Sequence, residues 1–488
     1  MTSARLFTRT SLSLILGASL TACAVGPTYQ RPVINTPNEL KQLPVAQAVQ
    51  ALPKKLKQVD IDWLHWWRTF NDPVLDQLLE EAAYSNQDIQ LAAARVEEAQ
   101  AQSVYTNLSR YPGIDANVGA SRAKISETTG RAAPGIRTTN NNFLASLAIN
   151  YEIDFWGKYS RANEAARARL LAQQANLGTV KASLYASVAQ SYFALRAFDA
   201  QHELAQSTLQ TRLEHRRLQE KRFQAGVIGE QDWQQTLSEV ASAEIQRAQA
   251  RQNQQLAETA LAILLGRSPA AIAKPEIARG KNLQGLFDQV ALPAELPAEI
   301  LTRRPDLVAA EQSLIAANAD IGQAKAQYFP SIKLTSGSGY ESRNLADLIQ
   351  PSSMLWNLGA NLAQPVFRGG LISSLINGAK ARKNQALAQY VQSVQFAFRD
   401  VHDALVNVAA NEEIVTAAQT RQQALKETLR LVNLRYTNGY SSYLEVLNAQ
   451  RDLFQVESTL IDTQRAQLAA TVSLYKALGG GWAGQQLK

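Results

Sequence analysis

Cysteine is almost missing from this chain: Cys23 is the only one in 488 residues. A lone cysteine excludes an internal disulfide framework. Aromatics make up only 7% of the residues, which suits slender helices side by side better than a thick globular core. No apolar run approaches the ~20 residues of a membrane-crossing helix. The net charge is 49 − 42 = +7, but bases and acids interleave without the concentrated basic face of a nucleic-acid binder, so no nucleic-acid partner is expected. The four histidines, His65, His202, His215 and His402, are scattered. His202-Glu203 lacks the second histidine of a zinc-protease helix, and Gly479-Gly480-Gly481 lacks a phosphate-loop lysine. The chain therefore reads as no enzyme, with no catalytic, metal or cofactor site.

What is present begins with an export signal. Arg5 and Arg9 precede a short apolar stretch, Ser11 to Leu20, and Leu20-Thr21-Ala22-Cys23 closes it. This closing resembles the bacterial lipobox, which implies removal of residues 1–22 and a diacylglycerol plus an N-acyl chain on Cys23. Ala24 after it implies sorting to the outer membrane, and acyl chains of this kind anchor a protein firmly.

The rest of the chain repeats itself. Arg222-Phe223-Gln224-Ala225-Gly226 returns as Arg435-Tyr436-Thr437-Asn438-Gly439, an offset of 439 − 226 = 213. Leu265-Gly266 with Leu478-Gly479, and Phe155-Trp156-Gly157 with Phe367-Arg368-Gly369, keep nearly the same offset. Such self-similarity marks a duplication. Each unit reads as a helix, a strand pair and a very long helical hairpin. The first helix spans Pro73 to about Arg110, opened by Asp72 as N-cap. Ile114, Ala116, Val118 and Ala120 then alternate with polar residues, as do Phe143, Ala145, Leu147, Ile149, Tyr151 and Ile153 after a polar loop. Two strands of roughly ten residues joined by a long polar loop match a transmembrane β-hairpin. Ile332, Leu334 and Tyr340, then Trp356, Leu358, Ala360, Leu362 and Val366, repeat the pattern after a helix from about Ala294. Aromatics gather at the strand ends, as at bilayer interfaces. An ordinary soluble β-meander is the alternative.

The helical stretch from Lys158 to Phe223 would span on the order of 100 Å. Leu387, Val394, Val401, Val408 and Val415 keep a seven-residue step, as do Leu447, Phe454, Ile461, Leu468 and Tyr475. A seven-residue repeat implies left-handed supercoiled packing. Gly226 and Gly439 supply the freedom that each hairpin turn needs. The tryptophans of Trp63-Leu64-His65-Trp66-Trp67 are expected to pack that segment against the body, and the Pro-rich stretch before Leu56 to lie extended. Four strands cannot close a barrel, and lipid tolerates no open sheet edge. Two chains would give about eight strands and a filled interior, three about twelve and a passage. A homotrimer is the expected assembly, with strands and helical turns at opposite poles.

The chain resembles the TolC-superfamily outer-membrane efflux channels, in the lipoprotein (NodT/OprM-like) branch that serves resistance-nodulation-division (RND) pumps. The residues that carry this are Leu20-Thr21-Ala22-Cys23-Ala24-Val25-Gly26-Pro27, Trp66-Trp67 with Asp72-Pro73, Asp154-Phe155-Trp156-Gly157, Arg303-Arg304-Pro305-Asp306-Leu307, Gln364-Pro365-Val366-Phe367 and Tyr443-Leu444-Glu445-Val446-Leu447-Asn448-Ala449-Gln450-Arg451. The resemblance implies a mainly α chain with a transmembrane β part. Three copies would form a 12-stranded β-barrel continuous with a 12-helix periplasmic α-barrel and a mixed equatorial belt. Its expected segments are a signal peptide (1–22), a lipidated stretch of the belt (23–72), repeat 1 (73–270, strand pair about 113–154), a linker (271–293), repeat 2 (294–480, strand pair about 331–367) and a tail (481–488). The implied partners are a periplasmic adaptor (membrane fusion) protein, an inner-membrane RND transporter and outer-membrane lipid. The implied function is passive exit of drugs or other small toxic compounds.

The resemblance also implies a gate at the periplasmic helix tips. By position its acidic ring falls on Glu445, with Asn448 on the same face, and on Asp232 after the first turn. Asn448 stands where many relatives carry Asp. Tyr436, Tyr440 and Arg435 are candidates for contacts that hold the gate closed. Arg212, Arg216, Arg217, Lys221 and Arg222 gather before the first turn, where they would complement the helix dipole or dock an adaptor. Two further readings stay open: the outer-membrane channel of a type I protein secretion system, and a non-conducting coiled-coil lipoprotein.

Overall fold

The computed structural model describes residues 25–35, 57–59, 61–126, 128, 138–293 and 304–482. Cys23, the signal segment and residues 294–303 and 483–488 lie outside the described residues. In chain order the long helices are α1 (Pro73–Ser85), α2 (Gln87–Leu108), α3 (Lys158–Gln224), α4 (Glu230–Leu264), α5 (Pro305–Ala326), α6 (Leu371–Thr437) and α7 (Tyr443–Ala477). The long strands are β1 (Gly113–Lys124), β2 (Thr139–Ile153), β3 (Ser331–Ser342) and β4 (Met354–Ala363). The duplication holds to the residue: α3 and α6 are 67 residues each, α4 and α7 are 35 each. At ~1.5 Å per residue the longer pair reach about 100 Å. Among the described residues no helix is long and apolar enough to cross a membrane.

By contacts the chain divides into two compact units. One comprises residues 1–33, 97–172 and 310–390 and holds the sheet, in the antiparallel order β1-β2-β3-β4. Its register aligns Ile114 with Ile149, Ile149 with Ser336 and Ser336 with Leu358, and likewise Ala116, Leu147, Ser338 and Trp356. Because side chains alternate along a strand, these rows place Val118, Leu334, Met354 and Leu362 on the same face. That face is apolar and exposed: Val118 is 87% accessible, Trp356 74% and Leu358 77%. The opposite face carries Asp115, Asn117, Lys333, Glu341 and Asn361. In the sheet of this single chain, β1 and β4 each have a partner on one side only.

β1 and β2 outrun the apolar alternation, whereas β4 ends at Ala363, short of the expected Val366. β2 begins at Thr139 rather than near Phe143, because the polar residues Asn140, Asn141 and Asn142 continue the ladder opposite Ala123, Arg122 and Ser121. Below the sheet, Asp154 caps α3 by accepting from the backbone N–H of Tyr159 and Ser160 at 3.0 and 2.7 Å. Trp156 stacks on Phe329 at 4.6 Å and donates to the Pro330 carbonyl at 2.9 Å. Alanines at 165, 168, 316 and 319 let α3 and α5 approach closely.

The other unit, residues 34–96, 173–309 and 391–488, has a core of Trp66, Phe70, Leu75, Leu79, Phe193, Leu265 and Tyr475, each 1% exposed or less. The tryptophan segment packs inward as its composition predicts. Asp72 caps α1 and is itself buried, accepting also from the Tyr192 hydroxyl at 2.8 Å and the Lys281 N–H at 3.0 Å. Val394, Val401, Val408 and Val415 of α6 are all buried, as the seven-residue step requires.

One helix was expected from Pro73 to about Arg110; there are two. Asn86 breaks them in an extended conformation, its side chain accepting from the Asp88 and Ile89 N–H and donating to the Leu264 carbonyl at 2.9 Å. Leu264 is the last residue of α4. At the matching place in repeat 2, Arg304 donates to the carbonyl of Ala477, the last residue of α7, at 3.3 Å. It also pairs with Asp306 at 2.7 Å and Asp400 at 3.1 Å. Helix ends leave carbonyls unpaired, and both repeats answer from the same place with different side chains.

Candidate functional site

Both predicted turns form in the same way. Gly226 has φ 72° and Gly439 φ 78°. Gly226 N–H bonds the Phe223 carbonyl at 2.9 Å and Val227 N–H bonds that of Arg222 at 2.8 Å; Gly439 to Tyr436 at 3.0 Å and Tyr440 to Arg435 at 2.8 Å are the counterparts. These paired bonds are the Schellman end, which requires a left-handed residue at the position the glycine holds.

The side chains around the turns differ. After the second turn Ser442 caps α7 and Glu445 closes a capping box, with both bonds at 3.4 Å. Arg435 lies 3.8 Å from the same Glu445 carboxylate and donates to the Tyr440 carbonyl at 3.2 Å. Glu445 is thus held by the start of its own helix and faced by Arg435, and it is still half exposed. Asn448 is exposed one turn further along, and Tyr440 is 77% exposed. After the first turn Gly229 caps α4 without a side-chain bond, and Asp232, the counterpart of Glu445 (445 − 213 = 232), is exposed in the first turn of the helix.

Tyr436 bridges the two hairpins. Its hydroxyl accepts from Arg222 at 2.6 Å and Gln219 at 3.4 Å on α3, and the Arg222 guanidinium also lies over its ring at 5.8 Å. Tyr443 stands 5.8 Å from the Tyr436 ring and 6.1 Å from that of His215. Burial pushes the Tyr443 hydroxyl up and the His215 imidazole down, the latter helped by the Arg212 charge. Phe223 stacks on Trp233 at 5.8 Å within the first hairpin.

Arg212 departs from its expected place among surface bases: it is 6% exposed. It faces Glu239, and burial lowers its pKa against the pull of that carboxylate. Glu239 carries no distinguishing spacing, being a single Glu in a Gln- and Glu-rich helix, and Tyr443, although part of the motif after the second turn, had no role assigned to it. The bridge from Arg222 to Tyr436 was not expected either, since Arg222 reads in the sequence as a helix-end or adaptor-docking base.

Beside the sheet, the chain just after Cys23 is pinned. Val25 N–H bonds the Trp156 carbonyl at 3.2 Å, and Asn318 donates to the Pro27 carbonyl at 2.9 Å. Gly26, at φ 129°, lies so close to α5 that a Cβ would fall 2.5 Å from Gly322 Cα. Tyr29 and Arg31 both bond Glu311. The motif after the cysteine thus ties this segment to the foot of the sheet.

Comparison with known proteins agrees with this architecture. Residues 78–267 and 296–480 match the family described as outer membrane efflux protein, one match per repeat. The chain is 33% identical over 474 residues to the cation efflux system protein CusC of Escherichia coli O6:H1, covering 96% of this chain and 98% of that one. It is 31% identical over 461 residues to the "Probable outer membrane lipoprotein SilC" of Salmonella typhimurium, covering 94% and 95%. Among solved structures, the CmeC outer membrane channel of Campylobacter jejuni superposes with a TM-score of 0.87 at 26% identity, covering 96% of each chain. The chain belongs to the outer membrane efflux protein family. It is an outer-membrane efflux channel of mixed α and β build, and it works with pump components as channels of this family do.

Proposed function

We propose that the chain is the exit duct of a tripartite RND-type pump, a homotrimer that passively conducts small toxic compounds and is gated at the Gly226 and Gly439 turns. The observation that carries this reading is the sheet. One exposed apolar face, one polar face and two one-sided edge strands have no use in a monomer. Three copies close about twelve strands around a polar lumen with the apolar face toward lipid. A non-conducting coiled-coil lipoprotein would leave those strands without a role. The lipid on Cys23 fits the same arrangement, because the segment that follows is tied to the foot of the sheet, at the level where acyl chains would enter the membrane.

At the turns, Glu445 repeated around a threefold axis forms a cation-favouring constriction, with Asn448 contributing an uncharged ring beside it and Asp232 a second, outer set of charges. Arg435 and Tyr440 brace the Glu445 loop, and Tyr436 holds it to the first hairpin. A periplasmic adaptor and an inner-membrane RND transporter complete the assembly. Single-channel recording of Glu445→Ala in planar bilayers tests the constriction. Reduced cation selectivity is expected; unchanged selectivity and conductance would sink it.

A further inference from the structure

Near the turns one buried carboxylate joins three helices and belongs to neither turn. Glu239 of α4 is 6% exposed. It accepts a hydrogen bond from Arg451 of α7, lies 3.6 Å from the Arg212 guanidinium of α3, and accepts from Gln235 at 3.3 Å. Arg212 also donates to Gln450 of α7. One acid thus serves two bases that come from different hairpins. The bases are unequal: the Arg212 side chain is 6% exposed and the Arg451 side chain 50%. A cavity of about 280 Å³ opens beside them, lined by Thr208, Ser242, Gln246 and Gln455 among others.

Two guanidiniums without the carboxylate would repel in a medium of low polarity, and an unpaired buried charge is among the costliest defects a fold can carry. Arg451 keeps this carboxylate, and Arg212 keeps Gln450, only while α7 stays against α3 and α4, whereas Arg212 and Glu239 share one hairpin. We propose that Glu239 is the positioning residue that holds the second hairpin to the first when the tip is closed, and that opening proceeds by release of Arg451 into water while Arg212 and Glu239 stay paired. Both bases line the adjoining cavity, but Arg451 is already half exposed while Arg212 is 6% exposed, so Arg451 is the one that water can take over. This inference rests on the gate reading above.

The test is single-channel recording of the purified full-length protein with Glu239→Gln and Arg451→Gln, each first shown to form heat-modifiable trimers. Glu239→Gln leaves both bases unmatched and is expected to raise the open fraction about tenfold, equivalent to roughly 1.4 kcal/mol. Arg451→Gln, which keeps the Arg212–Glu239 pair, is expected to raise it less. In Glu239→Cys with Arg451→Cys, bridging the pair with a short bis-maleimide is expected to restore the closed state, which a merely structural role would not do. Native open fractions in assembled Glu239→Gln or Arg451→Gln channels overturn the proposal. Should Glu239→Gln fail to assemble, Arg451→Gln decides alone. Absence of any conductance from both native protein and Glu445→Ala overturns the channel reading, and this inference with it.

Discussion

The two helical turns share a backbone and differ in almost every side chain that touches it. Both end a 67-residue helix with the same pair of hydrogen bonds around a left-handed glycine, and both start a 35-residue helix four residues after that glycine. The first is lightly dressed: Gly229 offers no capping oxygen, and Asp232 sits at the helix start. The second is braced by Ser442, Glu445 and Arg435, and reaches across to the other hairpin through Tyr436. Duplication has kept the device that reverses the chain and specialised the groups around it. The second turn is the more heavily braced of the two, which is why the proposed gate is placed there.

The largest effect is expected where the turns are alike. Gly226→Val and Gly439→Val each force a β-branched residue into the left-handed region at roughly 1–2 kcal/mol. A Cβ at either glycine meets nothing within 4 Å, so the two losses should match in thermal unfolding of the trimer. A large inequality would break the equivalence of the turns.

Where they differ, Glu445→Ala removes half of a capping box and the partner of Arg435, a loss of about 1 kcal/mol. Asp232→Ala removes only a dipole contact of roughly 0.3–1 kcal/mol. Equal destabilisation of the two variants in denaturant titrations would contradict the asymmetry. Gly229→Ser asks the converse. Gly229 has φ −81° and an open Cβ position, so serine can install the missing cap and gain a few tenths of a kcal/mol. Lower stability in that variant would show the first turn is held differently than it appears.

The smallest effect is a pH dependence. His215 is depressed in the folded state by burial and by Arg212, with Glu214 opposing; Tyr443 packs beside it. Its unfolded pKa is about 6.5. Below that value the unfolded chain takes up the proton first, so stability falls as pH drops through the unfolded pKa toward the lowered folded one. Limited proteolysis of the turns at pH about 7.5 and about 5.5 should show faster cleavage in acid, and His215→Gln should flatten the difference.

Much of this was legible in the sequence because the signals were periodic. The 213-residue offset located both turns, and the alternation of Ile114, Ala116 and Val118 found the exposed apolar face of β1. The seven-residue step of valines found the buried seam of α6. What escaped was held by partners far apart in the chain. The break at Asn86 depends on the Leu264 carbonyl, which no local pattern announces. The extra length of β2 comes from asparagines that pair across the ladder without apolar alternation. Arg212 reads as one more base before a helix end until Glu239 is found against it. The proposed gate residues Asp232, Arg435, Tyr436, Tyr440, Glu445 and Asn448 were placed by resemblance, and of these Arg435, Tyr436 and Glu445 make side-chain contacts that no local pattern announces.

The central claim is that the chain forms a duct whose periplasmic end is closed by the second turn. The most direct measurement is the single-channel conductance of the full-length lipidated protein with and without Tyr436→Phe combined with Arg435→Ala. The native channel should conduct poorly and with cation preference, and the variant should conduct several-fold more while remaining a heat-modifiable trimer. A native channel already wide open and indifferent to the pair of changes would contradict the account.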